Sequence, residues 1–117
     1  MNILYYSSKC SKSMKCIEIL KNKNIEFKAI EYRKNPMNIN ELTNIIEHLI
    51  GPTKAILRED EKEYKKYLIN NKLPLEKIDY VEILYKFPEF MQRPIFFNKF
   101  NYIICRPPEK VLNYINV

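Results

Sequence analysis

The sequence has little of the residue types that most often mark a metal site or a general base. Its 117 residues include one histidine, His48, three cysteines and no tryptophan. Close pairs of cysteine and histidine, which are typical of a zinc site, do not occur, so we predict that no metal is bound. His48 falls on the polar face of a predicted helix with Glu41 and Glu47. We expect it to be solvated there, without forming a Cys–His dyad.

Long apolar runs are also missing. No segment approaches the ~20 consecutive apolar residues of a membrane-spanning helix, and the N-terminal residues lack the pattern of a signal peptide. An odd number of cysteines in a chain of this length favours a reducing compartment. We therefore expect a cytoplasmic protein without membrane contact, folded as one domain over residues 1–117.

Arginine is scarce in a chain that is rich in positive charge. The net charge is +6, but the lysines mostly alternate with Asp and Glu and form no basic stripe, so we expect no nucleic-acid partner. Only four of the twenty basic residues are arginines: Arg33, Arg58, Arg93 and Arg106. Arginines that remain in such a lysine-rich background are candidates for bidentate contacts with an oxyanion or carboxylate, which a lysine ammonium cannot imitate.

The first third of the chain predicts a strand–helix–strand unit. Residues 2–6 form an apolar and aromatic run. Ser13, Cys16, Ile17 and Leu20 are spaced as on one face of a helix, and apolar and polar residues alternate over 25–32 as in a strand. A unit of this kind joins two parallel strands. Asn22 or Asn24 is predicted to close the helix.

Helices are predicted for the middle of the chain and a hairpin for its end. Helical spacing covers residues 39–50, then roughly Thr53 to Asn70, then 79–87. Residues 95–105 indicate two short strands around a turn, and a proline-initiated helix over 109–115 follows. The predicted fold is therefore α/β, a thioredoxin-like βαβ…ββα arrangement with a helical insertion at about 37–90.

Cys10 lies where the first strand gives way to the helix. Unpaired N–H groups and the positive end of the helix dipole favour an anion there, and Lys9 and Lys12 add positive charge. These features lower the pKa of a thiol. Ser11 and Ser13 can donate hydrogen bonds to the thiolate or to an anion beside it. We therefore predict that Cys10 is a reactive thiolate.

Two common cysteine motifs are absent around Cys10. Ser13 occupies the second position of a Cys-x-x-Cys dithiol, and Cys16 stands where a Cys-x5-Arg phosphate loop needs its arginine. A Cys10–Cys16 disulfide is also not expected, because six helical residues rise ~9 Å while bridged Cα atoms lie within ~7 Å. Cys16 is predicted to pack in the core. For Cys105, which ends the last predicted strand, a packing role and a place near the site both stay open.

Four motifs of the chain resemble those of the glutaredoxin-coupled arsenate reductase family. They are Cys10-Ser11-Lys12-Ser13, Leu57-Arg58, Gln92-Arg93-Pro94-Ile95 and the stretch CRPPEKVL from Cys105 to Leu112. The resemblance runs the full length of the chain and includes the intervening helices and Asn35-Pro36.

This resemblance implies a thioredoxin-like fold and a single-thiol mechanism. Cys10 matches the nucleophile that attacks arsenate, and Arg58, Arg93 and Arg106 match the arginines that hold the oxyanion. Glutathione and glutaredoxin are then the implied thiol partners that complete the reduction, with no bound cofactor. The peptide bond before Pro94 matches the cis-proline of thioredoxin-like folds.

The chain departs from the family pattern just before Lys9-Cys10. Typical members have histidine-asparagine-proline where this chain has Tyr6, Ser7 and Ser8. Two alternatives therefore stay open. One is an Spx-type transcription regulator that binds RNA polymerase, although such regulators often carry the Cys-x-x-Cys pair that this chain lacks. The other is a glutathione-dependent thiol reductase with another substrate.

Overall fold

Four strands form one mixed sheet in a computed structural model that describes residues 1–58, 65–66 and 75–115. The strands are β1 (Asn2–Tyr6), β2 (Phe27–Glu31), β3 (Ile95–Phe97) and β4 (Tyr102–Ile104), in the order β2-β1-β3-β4. β1 is parallel to β2 and antiparallel to β3, and β3 and β4 form an antiparallel hairpin. The predicted strand–helix–strand unit and the predicted hairpin are confirmed.

Helix α1 (Ser11–Asn22) connects the two parallel strands. Its buried side chains are Ser13, Cys16 and Leu20, which share one face because they lie three and four residues apart. Asn24 adopts a left-handed backbone with φ of 57°, and the next N–H group, that of Ile25, donates to the Leu20 carbonyl. Asn24 therefore closes the helix as predicted, in a Schellman arrangement.

Helices α2 (Ile39–Glu47) and α3 (Lys77–Lys86) lie between β2 and β3 in the chain. Asn38 begins α2 with a capping box, in which its side chain accepts from the Glu41 N–H and the Glu41 carboxylate accepts from the Asn38 N–H. The predicted helix at 79–87 is confirmed and begins two residues earlier. None of the described helices is long and apolar enough to cross a membrane.

The predicted helix from Thr53 to Asn70 is wrong at its start. Residues Thr53–Ile56 form a 3-10 helix, and Leu57 is extended and pairs with Met91 in an isolated bridge. The N–H group of Arg58 then donates to the Phe90 carbonyl. Residues 59–64 and 67–70 of the prediction lie outside the described residues. The final helix is likewise a 3-10 helix, Pro108–Tyr114, rather than an α-helix.

The sheet separates two apolar clusters. Leu4 and Tyr5 are consecutive in β1 and point to opposite faces. Leu4 packs with Cys16, Leu20, Phe96 and Val111, on the side of α1 and the 3-10 helix Pro108–Tyr114. Tyr5 packs with the buried residues of α2 and α3. The carboxyl ends of β1 and β2, which carry the site described next, lie at one edge between these layers.

Candidate active site

Cys10 is the residue that precedes the first turn of α1. Its backbone is extended, with φ of −105° and ψ of 118°, and its N–H donates to the Ser7 carbonyl at 3.0 Å. Its own carbonyl accepts the first helical hydrogen bond, from the Met14 N–H at 3.1 Å. The thiol is partly exposed. The predicted position at the junction of strand and helix is therefore confirmed.

The surroundings of Cys10 favour its thiolate. Burial raises the pKa of Cys10, but hydrogen bonds from the Ser13 backbone N–H, the Ser13 hydroxyl, the Arg93 guanidinium and the Lys12 backbone N–H lower it. The hydrogen bonds dominate, and they lower the pKa from 9.0 to about 7. About half of the Cys10 side chains are consequently ionised at neutral pH.

Ser13 is fully buried, and its hydroxyl is oriented by the backbone. The Ser13 oxygen accepts a hydrogen bond from the Ser7 N–H at 3.3 Å. Because that contact uses a lone pair, the hydroxyl proton is left to donate to the Cys10 sulfur. Ser13 therefore contacts the thiolate and holds the loop that carries it.

Arg93 brings the second half of the chain to the nucleophile. Its guanidinium donates hydrogen bonds to Cys10 and to the Tyr32 oxygen, and both contacts raise the pKa of Arg93 although burial lowers it. The Arg93–Pro94 peptide bond is cis, as the resemblance implied. The Arg106–Pro107 bond is cis as well.

Tyr32 is a site residue that the sequence reasoning missed. It is fully buried, and its hydroxyl donates to the Met91 carbonyl at 3.3 Å. Burial raises the pKa of Tyr32 and outweighs the opposing influence of Arg93, so the phenol is neutral at physiological pH. Its position directly after β2 was the available signal, because the carboxyl ends of parallel strands meet at one edge of a sheet.

The two other predicted arginines lie around Arg93. Arg106 donates through Nη1 to the Arg93 carbonyl at 2.9 Å, and Arg58 donates through Nη1 to the Glu89 carbonyl at 3.2 Å. The charge of Arg58 also reaches Tyr32 and favours its ionised form. The charge of Arg33 acts on Tyr32 in the same way, so all four arginines of the chain lie near the edge of the sheet that carries Cys10.

Several other predicted residues have different surroundings. The side chains of Ser11 and Lys12 are exposed on the first turn of α1, and Lys12 reaches the thiolate through its backbone N–H. Cys105 is fully buried beside Cys16, and the hydrogen bond that the Cys105 thiol donates to Cys16, together with burial, raises the pKa of Cys105. Cys105 thus packs in the core. His48 is exposed at the end of α2.

Two further features of the described residues bear on chemistry. No group of three or more His, Cys, Asp and Glu side chains within residues 1–58, 65–66 and 75–115 is arranged to hold a metal ion. A cavity of about 440 Å³ lies between α2 and α3, where Ile39, Ile46, Ile78 and Val81 are among its lining residues. None of the predicted site residues lines that cavity.

Comparisons with known proteins identify the family of the chain. The sequence model of the ArsC family matches residues 5–114. An arsenate reductase of Haemophilus influenzae is 30% identical over 114 residues, which cover 97% of each chain. The structure of an arsenate reductase from Vibrio cholerae superposes with a TM-score of 0.87 at 26% identity and 97% coverage of each chain. The global transcriptional regulator Spx 2 of Oceanobacillus iheyensis is 28% identical over 96 residues, 81% of this chain and 70% of its own. By sequence and by fold, the chain belongs to the ArsC family.

Proposed function

We propose that the protein is an arsenate reductase-like oxidoreductase that uses Cys10 as its nucleophile. The observation that carries the proposal is the hydrogen bond from the Arg93 guanidinium to Cys10, whose pKa is about 7. Two further arginines, Arg58 and Arg106, lie beside this pair. Arsenate is an anion at neutral pH, and guanidinium groups and a helix N-terminus suit such a substrate. The names of the relatives from Haemophilus influenzae and Vibrio cholerae support the same substrate.

The first step is attack of the Cys10 thiolate on arsenic. A sulfur–arsenic bond forms and one arsenate oxygen leaves as water after taking up protons, so arsenic stays As(V). Arg58, Arg93 and Arg106 hold the remaining oxygens and offset their negative charge. A thiol with a pKa of about 7 needs no separate general base, which accounts for a site with Tyr6 in the place of the family's histidine.

Reduction to As(III) requires two electrons, and two thiols supply them by forming one disulfide. The other two cysteines of the chain, Cys16 and Cys105, are both fully buried in the core, so an external thiol is needed. Glutathione forms the second sulfur–arsenic bond, and a second arsenate oxygen takes up protons and leaves as water, so arsenic is still As(V). A glutaredoxin thiolate then attacks the glutathione sulfur, and the sulfur–arsenic bond breaks with its electron pair left on arsenic. Water finally displaces Cys10 and releases arsenite.

A coupled assay tests this proposal. Purified protein, glutathione, glutaredoxin, glutathione reductase and NADPH are mixed, and NADPH oxidation is followed on addition of arsenate. We expect arsenate-dependent oxidation that is abolished by Cys10→Ser and retained by the core control Cys16→Ala. The absence of any rate above the protein-free background with the wild-type chain would refute the proposal.

Two alternatives make different predictions. The similarity to Spx 2, together with Ser7 and Ser8 before Lys9-Cys10, favours a regulator as the second candidate. A regulator would bind purified RNA polymerase in a pull-down experiment and would not oxidise NADPH. A glutathione-dependent thiol reductase with another substrate would show glutathione-linked turnover of a disulfide substrate and none with arsenate.

A further inference from the structure

A cavity beside the nucleophile is used by none of the steps above. It has a volume of about 230 Å³ and is lined by Ser7, Ser8, Lys9, Glu31, Arg33 and Lys34. One wall, residues 7–9, immediately precedes Cys10. The other wall includes Arg33 and Lys34, which follow Tyr32, the residue that contacts Arg93. The cavity therefore adjoins the active site through both of its walls.

The Glu31 carboxylate forms hydrogen bonds with both walls of the cavity. One of its carboxylate oxygens accepts from the Ser8 N–H, and the other accepts from the Arg33 N–H at 3.1 Å. Burial raises the pKa of Glu31, but hydrogen bonds from Ser8 and Arg33 and the charge of Lys34 lower it further than burial raises it. The carboxylate is thus ionised, and both of its oxygens are occupied by the loops that form the cavity.

The lining of the cavity is positively charged. Lys9, Arg33 and Lys34 carry three positive charges against the single negative charge of Glu31, which gives a net charge of +2. The Arg33 guanidinium also pairs with the Glu89 carboxylate at 3.8 Å, and both of these side chains are substantially exposed. An exposed pair of this kind is weak, so Arg33 stays available to a second carboxylate.

We propose that this cavity binds the glycyl carboxylate of glutathione, an inference that rests on the proposed function. The γ-glutamyl end of glutathione carries an ammonium group next to its carboxylate, whereas the glycyl end carries a carboxylate alone and suits a cationic cavity. The volume of about 230 Å³ is below the ~300–1,000 Å³ of pockets that enclose drug-sized ligands, so only one end of the tripeptide enters. The glycine adjoins the cysteine of glutathione, and their Cα atoms lie about 3.8 Å apart. The thiol is therefore only a few bonds from the cavity, whose wall of residues 7–9 immediately precedes Cys10.

The test is a binding titration that involves no reaction. S-methylglutathione, which has no thiol, and its glycyl ethyl ester are titrated by NMR into the wild-type chain and into the double variant Arg33→Gln/Lys34→Gln. We expect the ester to bind the wild type about fivefold more weakly than the acid, as for the loss of two exposed charge contacts. The double variant should bind both compounds with the affinity of the ester. Lys28→Gln, which removes an exposed lysine from β2, is the matched control and should behave as the wild type.

Equal affinity of acid and ester for the wild type would overturn the inference, and so would an ester penalty that persists in the double variant. Failure of S-methylglutathione to bind at all would also overturn it. The titration contains no arsenate, so its result is independent of turnover. A chain that discriminates the ester but reduces no arsenate refutes only the proposed function. A chain that reduces arsenate and binds both compounds equally refutes only the glycyl carboxylate site.

Discussion

Replacing Ser13 by alanine removes one hydrogen bond to the Cys10 sulfur and leaves the others in place. The Arg93 guanidinium and the backbone N–H groups of Lys12 and Ser13 remain as donors. A hydrogen bond to a charged group contributes about 1.5–3 kcal/mol, and one pKa unit corresponds to about 1.4 kcal/mol. Because the Cys10 thiol is partly exposed, solvent screening reduces the contribution of this hydrogen bond to the low end of that energy range. The pKa of Cys10 should therefore rise from about 7 to about 8.

The rate of alkylation by iodoacetamide as a function of pH measures this shift. At pH 7 the thiolate fraction falls from about one half to about one tenth, while a thiolate of higher pKa is intrinsically about threefold more nucleophilic. The rate of the Ser13→Ala variant should therefore be about twofold lower at pH 7 and about threefold higher on the alkaline plateau. Two rate profiles that cross are the signature of a changed pKa, which a loss of folded protein would not produce.

Ser11→Ala is the matched control for this experiment. It removes an exposed hydroxyl from the same helical turn, and we expect it to leave the alkylation midpoint unchanged. Ser13→Ala also deprives the buried Ser7 N–H of its acceptor, so a loss of about 1–3 kcal/mol in the free energy of unfolding should accompany it. A Ser13→Ala midpoint equal to that of the wild type would refute the reasoning, as would a wild-type midpoint near the ~8.5 of a free thiol.

Three further predictions follow from the same contacts. Arg93→Lys should raise the pH midpoint of Cys10 alkylation and lower kcat/KM for arsenate at least about tenfold, because a lysine ammonium cannot contact the Cys10 sulfur, the Tyr32 phenol and the oxyanion together. Arg106→Lys, which removes the donor to the Arg93 carbonyl, should lower kcat/KM with a smaller change in the alkylation midpoint. Glu31→Gln should lower the free energy of unfolding by about 2 kcal/mol in urea denaturation at pH 7, and the difference should shrink as the pH falls through the lowered pKa of Glu31, where the wild type loses its charge. The wild type should gain stability relative to Cys10→Ser as the pH rises from about 7 to 9, since the folded pKa of Cys10 lies below its unfolded value; an equal pH dependence of the two proteins would contradict this.

The parts of the fold that depend on local pattern could be predicted from the sequence. The spacing of Ser13, Cys16, Ile17 and Leu20 indicated one helix face towards the core, and the structure buries Ser13, Cys16 and Leu20 fully and Ile17 in part. The position of Cys10 at the start of that helix follows from the change of apolar period after Tyr6. Scarcity of arginine singled out Arg58, Arg93 and Arg106, and the structure places Arg93 against Cys10, Arg106 against the Arg93 carbonyl and Arg58 within electrostatic reach of Tyr32. Their role in holding an oxyanion stays a prediction.

Features that depend on contacts distant in the sequence could not be predicted in the same way. Tyr32 contacts Arg93 only because β2 ends, and the antiparallel strand β3 begins, at the same edge of the sheet. A buried tyrosine after a strand is otherwise an ordinary core residue. The extended backbone at Leu57 follows from its bridge with Met91, which overrides the helical spacing from Thr53. The contact of the Arg33 guanidinium with the Glu89 carboxylate could not be predicted either, because the two residues lie 56 positions apart in the sequence (89 − 33).

The central claim is that Cys10 reduces arsenate with the help of external thiols, and direct measurement of arsenite tests it best. Wild-type and Cys10→Ser proteins are incubated with arsenate, glutathione and glutaredoxin. As(III) is then separated from As(V) by chromatography, and the number of arsenite molecules formed per protein chain is determined. The account predicts many arsenite molecules per wild-type chain, none above background for Cys10→Ser, and none for the wild type without glutathione. Arsenite formation that persists in Cys10→Ser, or that is absent from the wild type, would contradict it.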